Sequence, residues 1–155
     1  MTTVGVISDT HGLLRPEALS ALEGSDVIVH AGDVGDPRIL EQLAEIAPVR
    51  AVRGNTDHGA WASALPLTDV VEVGGAGLYV LHILDELDLD PAAAGLAAVI
   101  HGHSHKPLMD RRDGVLFLNP GSAGPRRFHL PITLVRLKVD GDRLEPELVD
   151  LEGRR

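Results

Sequence analysis

Two histidines stand at i and i+2 in Gly102-His103-Ser104-His105, just after the apolar run Ala98-Val99-Ile100. Other apolar runs end in similar chemistry: Asp9-Thr10-His11, Gly32-Asp33 and Gly54-Asn55, with His82 closing Leu78-Tyr79-Val80-Leu81. Alternate residues of an extended segment face the same side. Asp9 and His11 can therefore point at one ion just beyond a strand. Imidazole and carboxylate together suit mid-series divalent metals, whereas magnesium and calcium prefer mostly oxygen ligands. The set Asp9, His11, Asp33, Asn55, His82, His103 and His105 is too large for one ion and suits two that share a carboxylate, with Asp33 the natural bridge. Two ions about 3.5–4 Å apart can bind a phosphate ester, lower the pKa of a bridging water and stabilise in-line displacement. Asp9-x-His11, Gly32-Asp33 and Gly54-Asn55 each read alone as an ordinary turn, and His103 with His105 leans only slightly to a metal; the signal is their joint occurrence.

These residues need elements that hold them at one edge. Thr3 to Ser8, Asp26 to Ala31 and Val49 to Val52 read as short buried strands, continuous and apolar as strands covered on both faces are. Between them lie two helical segments, one from Arg15 to Glu23 and one from Asp36 through about Ile46. Pro16 and Pro37 suit first helical turns, and Asp36 suits an N-cap. Leu19 and Leu22 mark the inner face of the first helix. Alternating strands and helices predict a parallel sheet with crossover helices, whose ligands sit outside the carboxyl ends of the strands. From Leu67 the pattern changes to hairpins. They span Asp69–Val73 and Leu78–His82, then Arg111–Gly114 into Val115–Leu118, then Ile132–Val139 and Arg143–Leu151 around Asp140-Gly141. Asp85 to Gly95 is an acidic helical or irregular segment, and Asn119 to Ser122 a turn. The final Gly153-Arg154-Arg155 is expected to fray. Parallel units first and antiparallel strands later predict a single α/β domain over residues 1–155, built as a mixed two-sheet sandwich with helices outside.

Composition narrows the function. A formal net charge of −9 argues against binding long nucleic acid through a basic surface. Small phosphate esters remain open, because bound divalent cations reverse the local field. With no cysteine, disulfides and thiolate metal sites are excluded. No apolar run reaches the roughly 18 residues of a membrane span. The opening residues show no signal-peptide pattern. The expected location is the cytoplasm, and the oligomeric state is open, a homo-oligomer included.

The ordered set Asp9-x-His11, Gly32-Asp33, Gly54-Asn55-x-Asp57, a lone His82 and Gly102-His103-x-His105 resembles the calcineurin-like metallophosphoesterases. The short length is similar to their small single-domain phosphodiesterase branch, and the resemblance covers roughly residues 4–122. It implies a four-layer αββα sandwich of two central sheets with outer helices. It implies that Asp9, His11, Asp33 and His105 hold one metal, and that Asp33, Asn55, His82 and His103 hold the other. Manganese is the ion it favours, with iron, zinc, nickel and cobalt as alternatives. The activity implied is hydrolysis of a small phosphodiester by a metal-bound hydroxide. Asp33, Asn55 and His103 are the expected catalytic residues; Asn55 and Arg126 are the expected substrate contacts. Two departures stand out. Many relatives read Gly-Asn-His-Glu where this chain has Gly54-Asn55-Thr56-Asp57, so their leaving-group histidine is replaced by Thr56. Many also have Gly after the lone histidine, where this chain has Ile83.

Two other functions compete with the phosphodiesterase. One is phosphomonoester hydrolysis at the same site. The other is a non-catalytic protein-interaction scaffold on the same fold, the use made of it by a retromer subunit. Among the remaining histidines, His30 and His101 read as structural or supporting groups, and His58 and His129 as loop residues. Arg126 and Arg127 follow Gly121-Ser-Ala-Gly-Pro125 and could reach a substrate phosphate. The acidic run from Asp85 to Asp90 reads as a solvated face.

Overall fold

In the computed structural model, which describes residues 1–153, the chain forms two five-stranded sheets. The first is built from β1 (Thr2–Ile7), β2 (Val27–His30), β3 (Val49–Ala51), β9 (Thr133–Asp140) and β10 (Arg143–Asp150), in the order β10-β9-β1-β2-β3. Here β1, β2 and β3 are parallel, as their strand–helix alternation demands, while β9 and β10 add as an antiparallel hairpin. The second sheet contains β4 (Thr68–Val73), β5 (Ala76–Leu81), β6 (Ala98–Ile100), β7 (Leu108–Arg112) and β8 (Val115–Asn119), in the order β4-β5-β6-β8-β7. The hairpin expectation misses one feature of this sheet. Its centre, β5-β6-β8, is parallel, because β6 inserts between two local hairpins.

The sheets pack face to face through aliphatic side chains. Val4, Val6, Val29, Val135 and Leu137 of the first meet Val71, Leu78, Val80, Ile100, Leu116 and Leu118 of the second, all essentially buried. Burying one such side chain contributes about 1.5–3 kcal/mol. The outer face of the first sheet is covered by α1 (Pro16–Leu22) and α2 (Pro37–Ala44). Pro16 opens α1 with no side-chain cap, and Ala18 and Leu22 are its buried residues. Asp36 caps α2 by accepting the Arg38 N–H at 2.9 Å. That helix stops at Ala44, short of Ile46, and tightens into i→i+3 bonds. A single further turn, α3 (Ala60–Ser63), was not anticipated from the sequence.

The outer layer of the second sheet is thin. It is a 3₁₀ turn over Leu84–Glu86 followed by irregular chain, whose Leu84, Leu87, Leu89 and Leu96 pack on Tyr79, Leu81, Val99, Val115 and Phe117. The interleaved acids at 85, 86, 88 and 90 face water, as the sequence implies. Pro146 sits in the edge strand β10, where a missing ladder donor is tolerated. Arg154 and Arg155, where fraying was expected, lie outside the described residues.

Candidate metal centre

Because β1, β2 and β3 run parallel, their carboxyl ends share one edge of the first sheet. The parallel β5 and β6 bring theirs to His82 and to the His101–His105 loop. The loops lace together beyond the strands. Asp9 N–H donates to Gly32 C=O at 3.0 Å, His11 N–H to Asp33 C=O at 2.9 Å and Gly102 N–H to His82 C=O at 3.0 Å.

The ring and carboxylate atoms converge in two groups. Asp9, His11 and His105 offer ligand atoms within 4.8 Å of one another, and so do Asp33, His82 and His103. Links join the groups as well: His11 Nε2 lies 3.7 Å from Asp9 Oδ1 and 3.6 Å from Asp33 Oδ2. His82 Nε2 lies 3.1 Å from Asp33 Oδ2 and 3.9 Å from Asp9 Oδ1. The His11 and His105 rings stack with centroids 5.2 Å apart, while His82 and His103 meet edge to face at 5.3 Å. Asn55 reaches the second group, its Oδ1 3.1 Å from His103 Nδ1.

The donors are aimed. Asp9 Oδ2 accepts from Ser8 O–H at 2.8 Å and from His103 N–H at 3.1 Å, while Asp9 Oδ1 is buried without a hydrogen-bond partner. His82 Nδ1–H donates to Ala31 C=O at 2.8 Å, which places the lone pair on Nε2. That buried Nε2 has no hydrogen-bond partner either and faces the Asp33 carboxylate. A nitrogen lone pair held against two carboxylate oxygens is repulsive unless a cation or a proton lies between them. The residues present therefore fit a divalent cation.

The backbone carries the cost of this aim. Asp9, His11, Asp33, His103 and His105 all have positive φ, between 45° and 70°. They make up five of the seven non-glycine residues of that kind among those described. Left-handed conformations cost free energy in such residues and gather at functional sites. Two glycines allow the close approach. A Cβ on Gly54 would lie 2.1 Å from Asp33 Oδ1, and one on Gly102 would lie 2.8 Å from Asp9 Oδ2.

Charge follows burial and contact. Burial pushes the Asp33 carboxyl up, but the adjoining His82 ring and the Thr56 N–H hold it well below the usual carboxylate range. Burial outweighs the nearby His82 at Asp9 and raises its carboxyl. His82 is pushed down by burial yet ends raised, because Asp33 and Asp9 stabilise its charged form. His105 is lowered to about 4 by burial, then by Arg127 and His11.

Several supporting residues lie outside the seven proposed ligands. The buried Asp57 carboxylate accepts N–H groups from Val34 at 3.2 Å, Gly35 at 2.9 Å and Gly54 at 2.9 Å, tying the Asp33 loop to the Asn55 loop. Asn119 Nδ2–H donates to Gly102 C=O at 3.0 Å and Ser122 O–H to Asp9 C=O at 3.0 Å, so the 119–122 turn buckles the two sheets beside the centre. Asp57 stands in the Gly54-Asn55-x-Asp57 pattern, whereas Asn119, the polar residue ending the Val115–Leu118 run, and Ser122 were marked in the sequence only by their place in a turn. His30 is fully buried as a supporting group. Its Nδ1 accepts the Gly32 N–H at 3.1 Å, leaving Nε2–H to meet Thr10 Oγ1 at 3.0 Å. His101 is buried with Nε2 unpartnered. His58 lies in an exposed loop with Nδ1 on Thr56 C=O at 3.0 Å, and His129 is exposed. Arg126 donates to Leu130 C=O at 3.0 Å and pairs with Glu152. Of the two adjacent arginines, it is Arg127 whose charge acts on His105.

A mixed imidazole and carboxylate set, gathered where the strands of two packed sheets end, is the equipment of a metallophosphoesterase. The chain belongs to the calcineurin-like phosphoesterase superfamily, whose domain model matches residues 2–142. It is 35% identical to a probable metallophosphoesterase of Methanocaldococcus jannaschii over 162 residues, 96% of this chain and 81% of that protein. A phosphodiesterase of the same archaeon is 27% identical over 137 residues, 76% of this chain and 82% of that one. The fold is shared with Vps29 of Chaetomium thermophilum, with a TM-score of 0.79 at 20% identity over 96% of this chain and 97% of that one.

Proposed function

We propose that the chain is a phosphodiesterase acting on a small phosphate ester with two divalent metal ions. The observation that carries this reading is the convergence of two three-residue donor groups, with unpartnered Asp9 Oδ1 and His82 Nε2 between them. Asp9, His11, Asp33 and His105 would hold one ion; Asp33, Asn55, His82 and His103 would hold the other. Manganese is the proposed ion, with iron, zinc, nickel and cobalt as alternatives, because nitrogen-rich sites favour the transition series. Bound ions would supply Lewis-acid charge to the phosphoryl oxygens and lower the pKa of water.

The chain's own part is positioning. Asp33 presents its carboxylate between the donor groups, and Thr56 N–H steadies its Oδ1 at 2.9 Å. Asn55 and His103, together at the exposed rim, orient the ester. Arg126 joins the substrate only by giving up Glu152, so its role is as a second contact. With Thr56 where relatives have histidine, the chain offers no ring at that position to protonate the leaving group. General acid help is worth about 10²–10⁴-fold, so esters with good leaving groups are the better substrates. The chain works as one domain over residues 1–155, in the cytoplasm. No described helix is long and apolar enough to cross a membrane.

Metal analysis of the purified protein, with a chromogenic phosphodiester assay in added manganese, tests the reading. Expected are bound metal, turnover, and loss of most activity in Asp33→Asn. Absence of both metal uptake and turnover across several divalent ions would refute it. Faster monoester than diester hydrolysis would make the chain a phosphomonoesterase. A second reading, the interaction scaffold, is favoured by the fold shared with Vps29. Partner capture unchanged by His103→Ala, with no catalysis, would establish it.

A further inference from the structure

Beside the donor groups the surface opens into a cleft of about 570 Å³. Asn55 and His82 line it, so cleft and centre share a wall. The volume lies within the range of small-molecule sites. Leu67, Tyr79 and Ile83 give part of its lining an apolar character. Leu67 is 60% exposed.

Charged groups sit in the cleft as well. Arg53 enters between β3 and Asn55, and its N–H is pinned to Pro66 C=O at 2.8 Å. Arg38, Arg50, Arg112, Arg126 and Arg143 are each paired with a carboxylate. Arg53 has no such partner among the described residues, and its side chain is half-buried. Glu86 and Asp88 also line the cleft, exposed and without an ion pair among the described residues.

We propose that this cleft is the subsite for the organic arm of the ester, and that it selects an uncharged, ring-bearing arm with hydroxyl or amino donors. The proposal rests on the phosphoesterase reading above. Arg53, next to Asn55, takes a phosphoryl oxygen on the arm side. Leu67, Tyr79 and Ile83 cover the ring, with apolar burial as the driving force. Glu86 and Asp88 accept hydrogen bonds from the arm's donors. Bound cations would draw the ester's phosphate, but Glu86 and Asp88 outnumber Arg53 among the charged side chains of the rest of the lining, so an anionic arm placed beside them is repelled. Like charges brought together in this way act as a selectivity filter.

Diphenyl phosphate and bis(para-carboxyphenyl) phosphate test the proposal. Both arms of each probe are identical, so the binding orientation does not matter. With manganese-loaded protein and product phenols followed by chromatography, kcat/KM should favour the uncharged ester by at least about tenfold, mainly through KM. The double variant Glu86→Lys/Asp88→Lys should abolish or invert that ratio. The milder Glu86→Gln and Asp88→Asn should each lower it. Arg53→Ala should weaken both esters. Metal content and circular dichroism show that each variant is folded. Equal rates for the two esters in the wild type would overturn the proposal, as would an unchanged ratio in the folded lysine variant, and either result leaves the phosphoesterase reading standing. No turnover of any ester by the loaded wild type would remove both.

Discussion

Asp57 is the most exacting test of how this centre is held. Its carboxylate touches no other ligand-type side chain. It takes the N–H groups of Val34, Gly35 and Gly54, and so joins the loop carrying Asp33 to the loop carrying Asn55. Hydrogen bonds to a charged group contribute about 1.5–3 kcal/mol each. Three of them on one carboxylate share partners, so their effects do not add fully. Asp57→Ala should therefore lose about 3–5 kcal/mol, a large fraction of the roughly 5–15 kcal/mol that stabilises a domain. Asp57→Asn is milder. An amide cannot accept on both sides, so at least one N–H then faces an NH₂ group, at a cost of about 1–3 kcal/mol. Urea denaturation at neutral pH with chelator present measures both losses. Manganese affinity and kcat/KM of the folded Asn variant measure the displacement of the loops. A misplacement near 1 Å can cost about 100-fold in rate, so activity should fall by more than tenfold while stability falls only moderately. If Asp57→Ala unfolds within about 1 kcal/mol of the wild type and keeps full activity, Asp57 does not clamp the two loops.

Other perturbations report on other features. In Gly54→Ala the new methyl would lie 2.1 Å from both Asp33 N and Oδ1, so the variant should melt earlier and bind less metal; a wild-type melt and metal content would contradict the close approach. Metal removal should leave Asp9 Oδ1 and His82 Nε2 without partners. Restoring manganese to about 100 times its Kd should then add about 2.7 kcal/mol of stability for each ion bound, and an unchanged melt would count against the site. Burial lowers His30 to about 4. The unfolded chain therefore takes up the proton first as pH falls below about 6.5, so His30's contribution is complete above that pH and is lost on the way to about 4. At pH 4.5 His30's share of the loss should be about 2–3 kcal/mol, read as the part of the neutral-to-acid decline in urea stability that a His30→Gln protein lacks. A His30→Gln protein showing the same decline would exonerate this residue.

Much of the architecture is written locally. Apolar runs flanked by Pro16, Asp36-Pro37 and Asp140-Gly141 mark strands, helices and a hairpin, because turn and cap chemistry acts over a few residues. The order of ligand-type residues at strand ends is equally legible, since each pair is a short-range pattern. Strand order in the second sheet is not legible. The insertion of β6 between two hairpins depends on which apolar faces meet, and that is decided across the whole core.

The centre divides in the same way. The sequence alone determined which residue types could serve an ion, and that parallel strands would present them at one edge. Only the tertiary structure decided that His82, from the second sheet, stands 3.1 Å from Asp33 of the first. Only there do five of the donors take left-handed backbone, and only there does Asp57 become a clamp and Arg53 the cation of a cleft. The physical reason is one of range. Periodicity and turn chemistry are set by near neighbours, but the distance between two side chains tens of residues apart is fixed only when both sheets bury their common face.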